Sequence, residues 1–431
     1  MASGKPPRPS VHRLHAAQLL RRKKLWLVPA VMTGLVSLLL SLLYMGGILT
    51  PTGSLHRLPV AVVDEDTGKP LPGQRANVGA QASRAVLSST QGGDVRWLKL
   101  TRAQAQERLD TGRVYGALVI PADFTDTVGA LPTSRAAKRP VLTVLTNPGV
   151  GSLASSLASQ ITQRAAHEIS LSVGKQLSAS PAVRGESAST RVLIADPVEV
   201  RTEVGHPIGA HSGLGLSAFY YALLLVLSGF IGGNIIHNTV DSALGYADSE
   251  IGPWHSRRPT VPISRTQMLV LKMVMTAGLS LLTTSLIMLA TVGALGMDAP
   301  HPGLLWIFSY CATLAVGLGV QAINAAFGTL GQLVSMFVFI AFALPSSGAT
   351  VPLEAVPGFY RFLGAFEPMR QLAAGVRAIL YFDARADAGL DRGWLMIALG
   401  FAVALAFGFT ATRYYDRRGL SRMVPRPAEQ A

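Results

Sequence analysis

Six apolar runs, each near the roughly 20 residues that a helix needs to cross a bilayer, leave this chain few choices of fold. The first extends from Leu25 to about Leu49. The others run approximately from Leu214 to Ile236, Met268 to Leu295, Leu304 to Phe327, Leu330 to Leu344 and Trp394 to Thr412. The fifth is short, flanked by glycine and stopped by Pro345. Only 14% of the residues are charged, against about 25% in a typical soluble domain. That deficit, with a mean hydropathy of +0.36, places much of the chain in lipid.

The net charge of +14 raises the question of a nucleic-acid partner. Its distribution answers otherwise. Lys5, Arg8, Arg13, Arg21, Arg22, Lys23 and Lys24 precede the first apolar run with no acid among them. Arg413, Arg417, Arg418, Arg422 and Arg426 follow the last, against Asp416 and Glu429. Basic residues at the edges of apolar runs mark the cytoplasmic side of a membrane protein, and no nucleic-acid recognition fold accompanies them. The first run is longer than a signal core and no small-x-small cleavage site follows it, so it reads as an uncleaved anchor.

Residues 1–24 are therefore expected to be a cytoplasmic tail, 25–49 the first span, 50–213 an extracytoplasmic α/β domain, 214–412 a membrane domain with the remaining five spans, and 413–431 a second cytoplasmic tail. Within the membrane domain, 345–393 forms an outer amphipathic hairpin. An even number of spans puts both basic termini on the same side, as the charge rule requires. The expected home is the plasma membrane. Cys311, the single cysteine, cannot form an intrachain disulfide and reads as a small buried apolar residue.

In the segment between the first two spans, strands alternate with helices. Leu58–Val63, Val95–Leu98, Val114–Ile120 and Val141–Leu145 have strand composition. Asn77–Ser89, Thr101–Leu109, Ala122–Val128 and Ser152–Leu177 have helical spacing. This alternation predicts a small mixed or parallel sheet.

The motif VAVVDED at Val60–Asp66, just after a first span, and ALVIPADF at Ala117–Phe124 resemble the outer domain of YhgE/Pip-type and DUF3533-type membrane proteins, within the broader ABC-2 permease group. Asp196–Gly213, leading into the second span, is similar to the return segment of that family, and Pro345–Phe382 resembles the hairpin before the last ABC-2 span. The resemblance covers nearly the whole chain. It implies an ABC-2-like fold and a role in export or membrane transport, without naming a substrate.

A phosphate-binding loop needs GxxxxGK[ST]. The pairs Gly4-Lys5, Gly68-Lys69 and Gly174-Lys175 are followed by Pro6, Pro70 and Gln176, so ATP-driven transport would require a separate cytoplasmic ABC ATPase. Asp241–Trp254 in the only roomy inner loop is a candidate amphipathic docking helix for it, through Asp241, Tyr246, Glu250 and Trp254. The plainer alternative is a connecting loop with its acids in water. His167-Glu168 lacks the second histidine of a zinc protease motif, with Leu171 in that place, and no nucleophile elbow is present, so no catalytic residue is expected. Asp64-Glu65-Asp66 lacks the alternating ligands of a calcium loop and reads as a solvated strand end; neither metal nor cofactor is expected.

Asn234, Gln321 and Asn324 are polar residues inside spans, suited to hydrogen bonds between helices or to a translocation path. Lys272, near a span end, is expected to reach the inner surface. No full charge lies at a span centre, which argues against a pump built on buried carboxylates and favours apolar or lipid-like cargo. Gly229 and Gly233, four apart, are candidate dimer contacts. Phe359, Phe362, Phe366, Arg370 and Arg377 suit a hairpin lying at the membrane interface, its arginines on lipid headgroups; packing against the outer domain is the alternative. The expected function is an ABC-2-like permease exporting amphiphilic, lipidic or drug-like molecules as a homodimer among membrane lipids. The alternative is a membrane-anchored scaffold or receptor whose outer domain binds a protein partner, serving secretion without transport.

Overall fold

The computed structural model describes residues 23–46, 49, 51–89, 93–131, 138–179, 188–256, 258–348, 350–420 and 422. Most of both basic tails, including Arg426 and Glu429, lies outside the described residues.

The chain opens with helix α1 (Lys23–Gly46), whose Leu27, Val31, Leu35, Leu38 and Leu42 face outward. Five strands follow: β1 (Leu58–Asp64), β2 (Val95–Leu100), β3 (Gly116–Ile120), β4 (Val141–Thr146) and β5 (Glu199–Val204), in the order β2-β1-β3-β4-β5. Within this sheet, β3 and β4 pair antiparallel and the other neighbours parallel. The central strands β1 and β3 are buried almost throughout, as their near-continuous apolar sequences require.

Alternation divides the side chains between two layers. Val62, Leu118 and Ile120 pack under α2 (Val78–Ser88), α4 (Phe124–Ala130) and α5 (Ser152–Ser178). Ala61, Val63, Ala117 and Val119 pack on the other face with Ala105 and Leu109 of α3 (Arg102–Leu109). A reciprocal capping box starts α3: Thr101 Oγ1 accepts from the Gln104 amide, and the Gln104 side chain accepts from the Thr101 amide. The short helix α6 (Ala188–Ala195) leads to β5. The strand composition of β5 is weak, because most of it is an exposed edge.

The remaining helices are α7 (Ser217–Ala243), α8 (Arg265–Met288, continued by a π turn to Ala294), α9 (Pro302–Phe327), α10 (Gly331–Met336, with a π turn to Ala341), α11 (Ala343–Ser346), α12 (Gly358–Phe366), α13 (Pro368–Tyr381) and α14 (Leu390–Arg417). Among the described residues, four helical stretches are long and apolar enough to cross a membrane: 217–243, 265–294, 302–341 and 390–417. The chain is thus a multi-pass membrane protein.

The third stretch is two helices. Gly328, with φ 61° and ψ −129°, breaks the chain after Phe327. A Cβ on Gly319 would lie 2.6 Å from the Phe339 ring. In a straight helix twenty residues would separate these positions by about 30 Å. Therefore α10 folds back along α9, and the fifth apolar run is the short second arm of a hairpin.

Gly229 and Gly233 turn inward, which corrects their assignment to a dimer interface. A Cβ on Gly229 would lie 2.6 Å from the Thr313 carbonyl oxygen, and one on Gly233 would lie 3.0 Å from Val320. The small residues let α7 and α9 meet within one chain. Gly229→Val is expected to cost about 1–3 kcal/mol by overpacking. A lower melting temperature with an unchanged oligomer mass would confirm this; a changed mass at equal stability would restore the dimer assignment.

Candidate functional site

At one end of the bundle the sequence places His237 and Asp241 four apart, hence on one face of α7. The Asp241 carboxylate accepts from Lys272 Nζ of α8 at 2.6 Å and from both terminal nitrogens of Arg422 at 2.9 Å each. Lys272 Nζ also lies 3.0 Å from His237 Nδ1. An ammonium only donates, so Nδ1 accepts and Nε2, 3.4 Å from Asp241 Oδ2, carries the proton. Lys272 and Asp241 are almost fully buried. Lys272 does not reach a surface: Asp241 supplies a buried counter-charge that the sequence could not reveal, because the partners are 31 residues apart.

Other groups tie the same end together. Asp416 of α14 accepts from the amides of Arg265 and Thr266 at the start of α8, where a carboxylate satisfies unpaired helix donors. Arg265 donates to the Leu420 carbonyl at 2.6 Å, and the Arg422 guanidinium lies over the Tyr246 ring. Beneath this strap is a cleft of about 410 Å³, lined among others by His237, Asp241, Lys272, Asn324, Gln332 and Arg422.

The candidate docking residues separate. Asp241 belongs to the buried cluster and Tyr246 lies beside Arg422, whereas Glu250 and Trp254 are exposed. No amphipathic helix spans 241–254. After α7 ends at Ala243, β6 (Ser249–Ile251) and β7 (Trp254–Ser256) form a hairpin with Trp254 75% exposed at its turn. Gly245 and Gly252, both with positive φ, allow the tight reversals that no helix could contain.

Asn234, Gln321 and Asn324 bond neighbouring helices. Asn324 Nδ2 donates to Asn234 Oδ1 at 3.0 Å, and Gln321 Nε2 donates to the Gly233 carbonyl at 2.9 Å and to Thr276 Oγ1 at 3.2 Å. Asp66 accepts from the amides of Gly68, Gly79 and Thr125 and from the Thr125 hydroxyl, so its carboxylate organises the β1 end. Among the described residues no group of three acids, histidines or cysteines could hold a metal.

At the opposite end, α12 and α13 form the hairpin. Phe359, Phe362 and Phe366 are 59–68% exposed, as an interfacial face would be. The arginines do not accompany them. Arg370 donates to the Gly364 carbonyl at 3.3 Å, and Arg377 turns inward beside Tyr115 and Tyr381. The hairpin region meets the sheet domain instead, through Glu354 ahead of α12 and through the end of α13. Tyr115 donates to Glu354 at 3.1 Å, and His206 bridges Asp110 at 2.9 Å and the Tyr381 carbonyl at 2.8 Å. Burial, reinforced by the Glu354 carboxylate, holds the Tyr115 phenol protonated well above its usual range.

Glu367, the N-cap of α13, accepts from the Met369 amide at 2.7 Å. Burial nevertheless pushes its carboxyl up to about 7 from an ordinary 4.5. The folded state then binds this proton more tightly than the unfolded state. Stability is expected to fall as pH rises from about 4.5 to about 7, and to level off above. Melting curves across that window should lose this component in Glu367→Gln; an unchanged slope in the variant would exclude Glu367 as its source.

Between α9, α10 and α14 lies a second cleft, of about 270 Å³, lined by Ala315, Gly319, Phe339, Met396, Gly400 and Val403 among others and almost wholly apolar. Phe366 stands at its end, and Leu399, Val403 and Phe407 on the α14 wall are 40–57% exposed. The cleft therefore opens sideways, onto the apolar flank of the bundle.

A family model described as a protein of unknown function, DUF3533, matches residues 29–400. No curated protein matches the chain. A crystallised domain assigned to an ABC type-2 transporter of Thermotoga maritima MSB8 is 17% identical over 38% of this chain and 98% of its own, with a TM-score of 0.25, a likeness too slight to carry an argument.

Proposed function

The chain belongs to the DUF3533 family, and from that premise we propose that it is an ABC-2-like permease moving amphiphilic or lipidic molecules outward across the plasma membrane. The apolar cleft between α9, α10 and α14 carries this reading. A site for a water-soluble solute would need converging polar groups, whereas this one offers carbon and opens on its lipid-facing side. Both termini lie in the cytoplasm, α1 and α10 complete six spans, and the sheet domain stands outside on the hairpin that roofs the cleft. Two copies assemble as a homodimer, and the chain performs no catalysis of its own. A separate ATPase docks on the β6–β7 hairpin through Trp254 and Glu250, the two exposed residues of the docking group.

Photolabelling in native membranes tests the cleft. A phospholipid bearing a diazirine on its acyl chain is expected to label residues 312–323 and 396–407. A Cβ at Gly400 has only Ala315 Cβ nearby, at 3.6 Å, so Gly400→Trp can fill the cleft without displacing backbone. Labelling should fall several-fold in this variant at an unchanged melting temperature, together with efflux of a fluorescent lipid analogue from proteoliposomes. Labelling confined to the outer faces of the helices, or efflux indifferent to Gly400→Trp, would overturn the permease reading and leave an anchored scaffold.

A further inference from the structure

The cluster around Asp241 is an arrangement that a proton would upset. His237 Nδ1 accepts from the Lys272 ammonium at 3.0 Å, so this arrangement requires a neutral imidazole. An imidazolium there would turn an N–H toward the ammonium, and two cations at that distance repel strongly in a buried site. Asp241 is within reach of both, with His237 Nε2 at 3.4 Å and Lys272 Nζ at 2.6 Å. Protonated His237 and Lys272 therefore compete for one carboxylate.

A second seat for the ammonium is already built. Thr276 lies one turn beyond Lys272 on α8, and its hydroxyl accepts from Gln321 Nε2 at 3.2 Å. Gln321 Oε1 and Asn324 Oδ1 are buried acceptors with no hydrogen bond among the described residues. Such atoms are costly unless a donor visits them. Asn324 lines the same cleft as Lys272 and His237, and Gln321 stands about one turn before it on α9.

We propose that His237 is a proton-binding site that switches Lys272 between Asp241 and the amide oxygens of Gln321 and Asn324, and thereby opens this end of the bundle. The proton arrives from solvent in the cleft and stays on Nδ1; no other proton moves. Asp241 then holds the imidazolium, and Lys272 withdraws toward Gln321. Arg422 shares Asp241, so the strap that it ties across the cleft loosens with the exchange. The other charged groups facing the cluster are Arg265 from α8, Asp416 from the end of α14 and Asp248 from the loop after α7, where Tyr246 also contributes its ring. The switch does not depend on what the permease carries. It gives the chain a response to protons in addition to any ATPase.

The test uses the full-length chain in lipid nanodiscs, with Cys311→Ser and spin labels on Ala247→Cys and Thr329→Cys. These exposed positions both line the cleft, one on the loop after α7 and the other on the turn after α9. Lowering the pH from about 8 to about 3.5, through and well below the ordinary imidazole range, is expected to shift the distance distribution to longer values reversibly. His237→Asn keeps an acceptor for Lys272 but takes up no proton, and should stay at the high-pH distance throughout. Lys272→Gln removes the competing cation and leaves Asp241 to Arg422 and His237; it should also be indifferent to pH, which keeps the test alive if His237→Asn does not fold. An unchanged wild-type distance would overturn the switch. A wild-type response retained in both variants would overturn it equally and move the sensor to the exposed His255–Asp248 pair.

Discussion

Asp241→Ala is expected to remove about 3–5 kcal/mol of stability, since deleting one partner of a buried ion pair leaves the other charge uncompensated. Lys272 has a 4% exposed side chain, with no route to water comparable to that of Arg422, which is 30% exposed. The loss should appear as a lower melting temperature in detergent and as faster inactivation on heating. The informative measurement is the cycle with Lys272→Met. The double variant Asp241→Ala, Lys272→Met removes both charges and should recover most of the loss, because the penalty comes from the abandoned charge. If Asp241→Ala melts like the wild type, the cluster does not hold the helix ends together. If the single losses simply add in the double variant, the two residues do not interact as described.

Phe308→Ala is expected to be comparably damaging, at about 3–5 kcal/mol, for a different reason. Phe308 is fully buried at the junction of α9, α13 and α14. Its ring meets Trp394 edge-on with centroids 5.2 Å apart. Two glycines make room for it: a Cβ on Gly375 would lie 2.5 Å from the ring, and one on Gly393 would lie 3.0 Å from it. Truncation leaves a cavity between three helices that cannot all close on it. Gly375→Ala alone should destabilise by overpacking, and in the Phe308→Ala background it should restore part of the loss. Melting temperatures of the four proteins decide the matter. Additive losses would mean that ring and glycine do not share the space.

These experiments address features of unequal visibility in the sequence. The capping box at Thr101 and the buried strands Leu58–Asp64 and Gly116–Ile120 rest on contacts between near neighbours or on an alternating pattern, and both are written locally. The edge strand Glu199–Val204 was hidden, since an exposed edge carries little apolar pattern. The hairpin at Ser249–Ser256 replaced an expected helix where Gly245 and Gly252 adopt positive φ, a signal that was present and outweighed by amphipathic spacing.

By itself the sequence determined that the chain must live in a membrane and roughly where its apolar helices lie, because hydropathy over about 20 residues is a local property that lipid reads directly. It also determined that Asn234, Gln321 and Asn324 would need partners, since lipid offers polar groups none. Only the tertiary structure decided who those partners are. It set Lys272 on Asp241, turned Gly229 toward α9 within one chain, folded α10 back on α9 and aimed Arg377 at the sheet domain. Each of these joins residues from different elements of the chain, and a charge, a glycine or an arginine has the same local appearance whichever neighbour it meets. Burial and pairing are properties of the packed whole, and they separate a snorkelling lysine from a locked one.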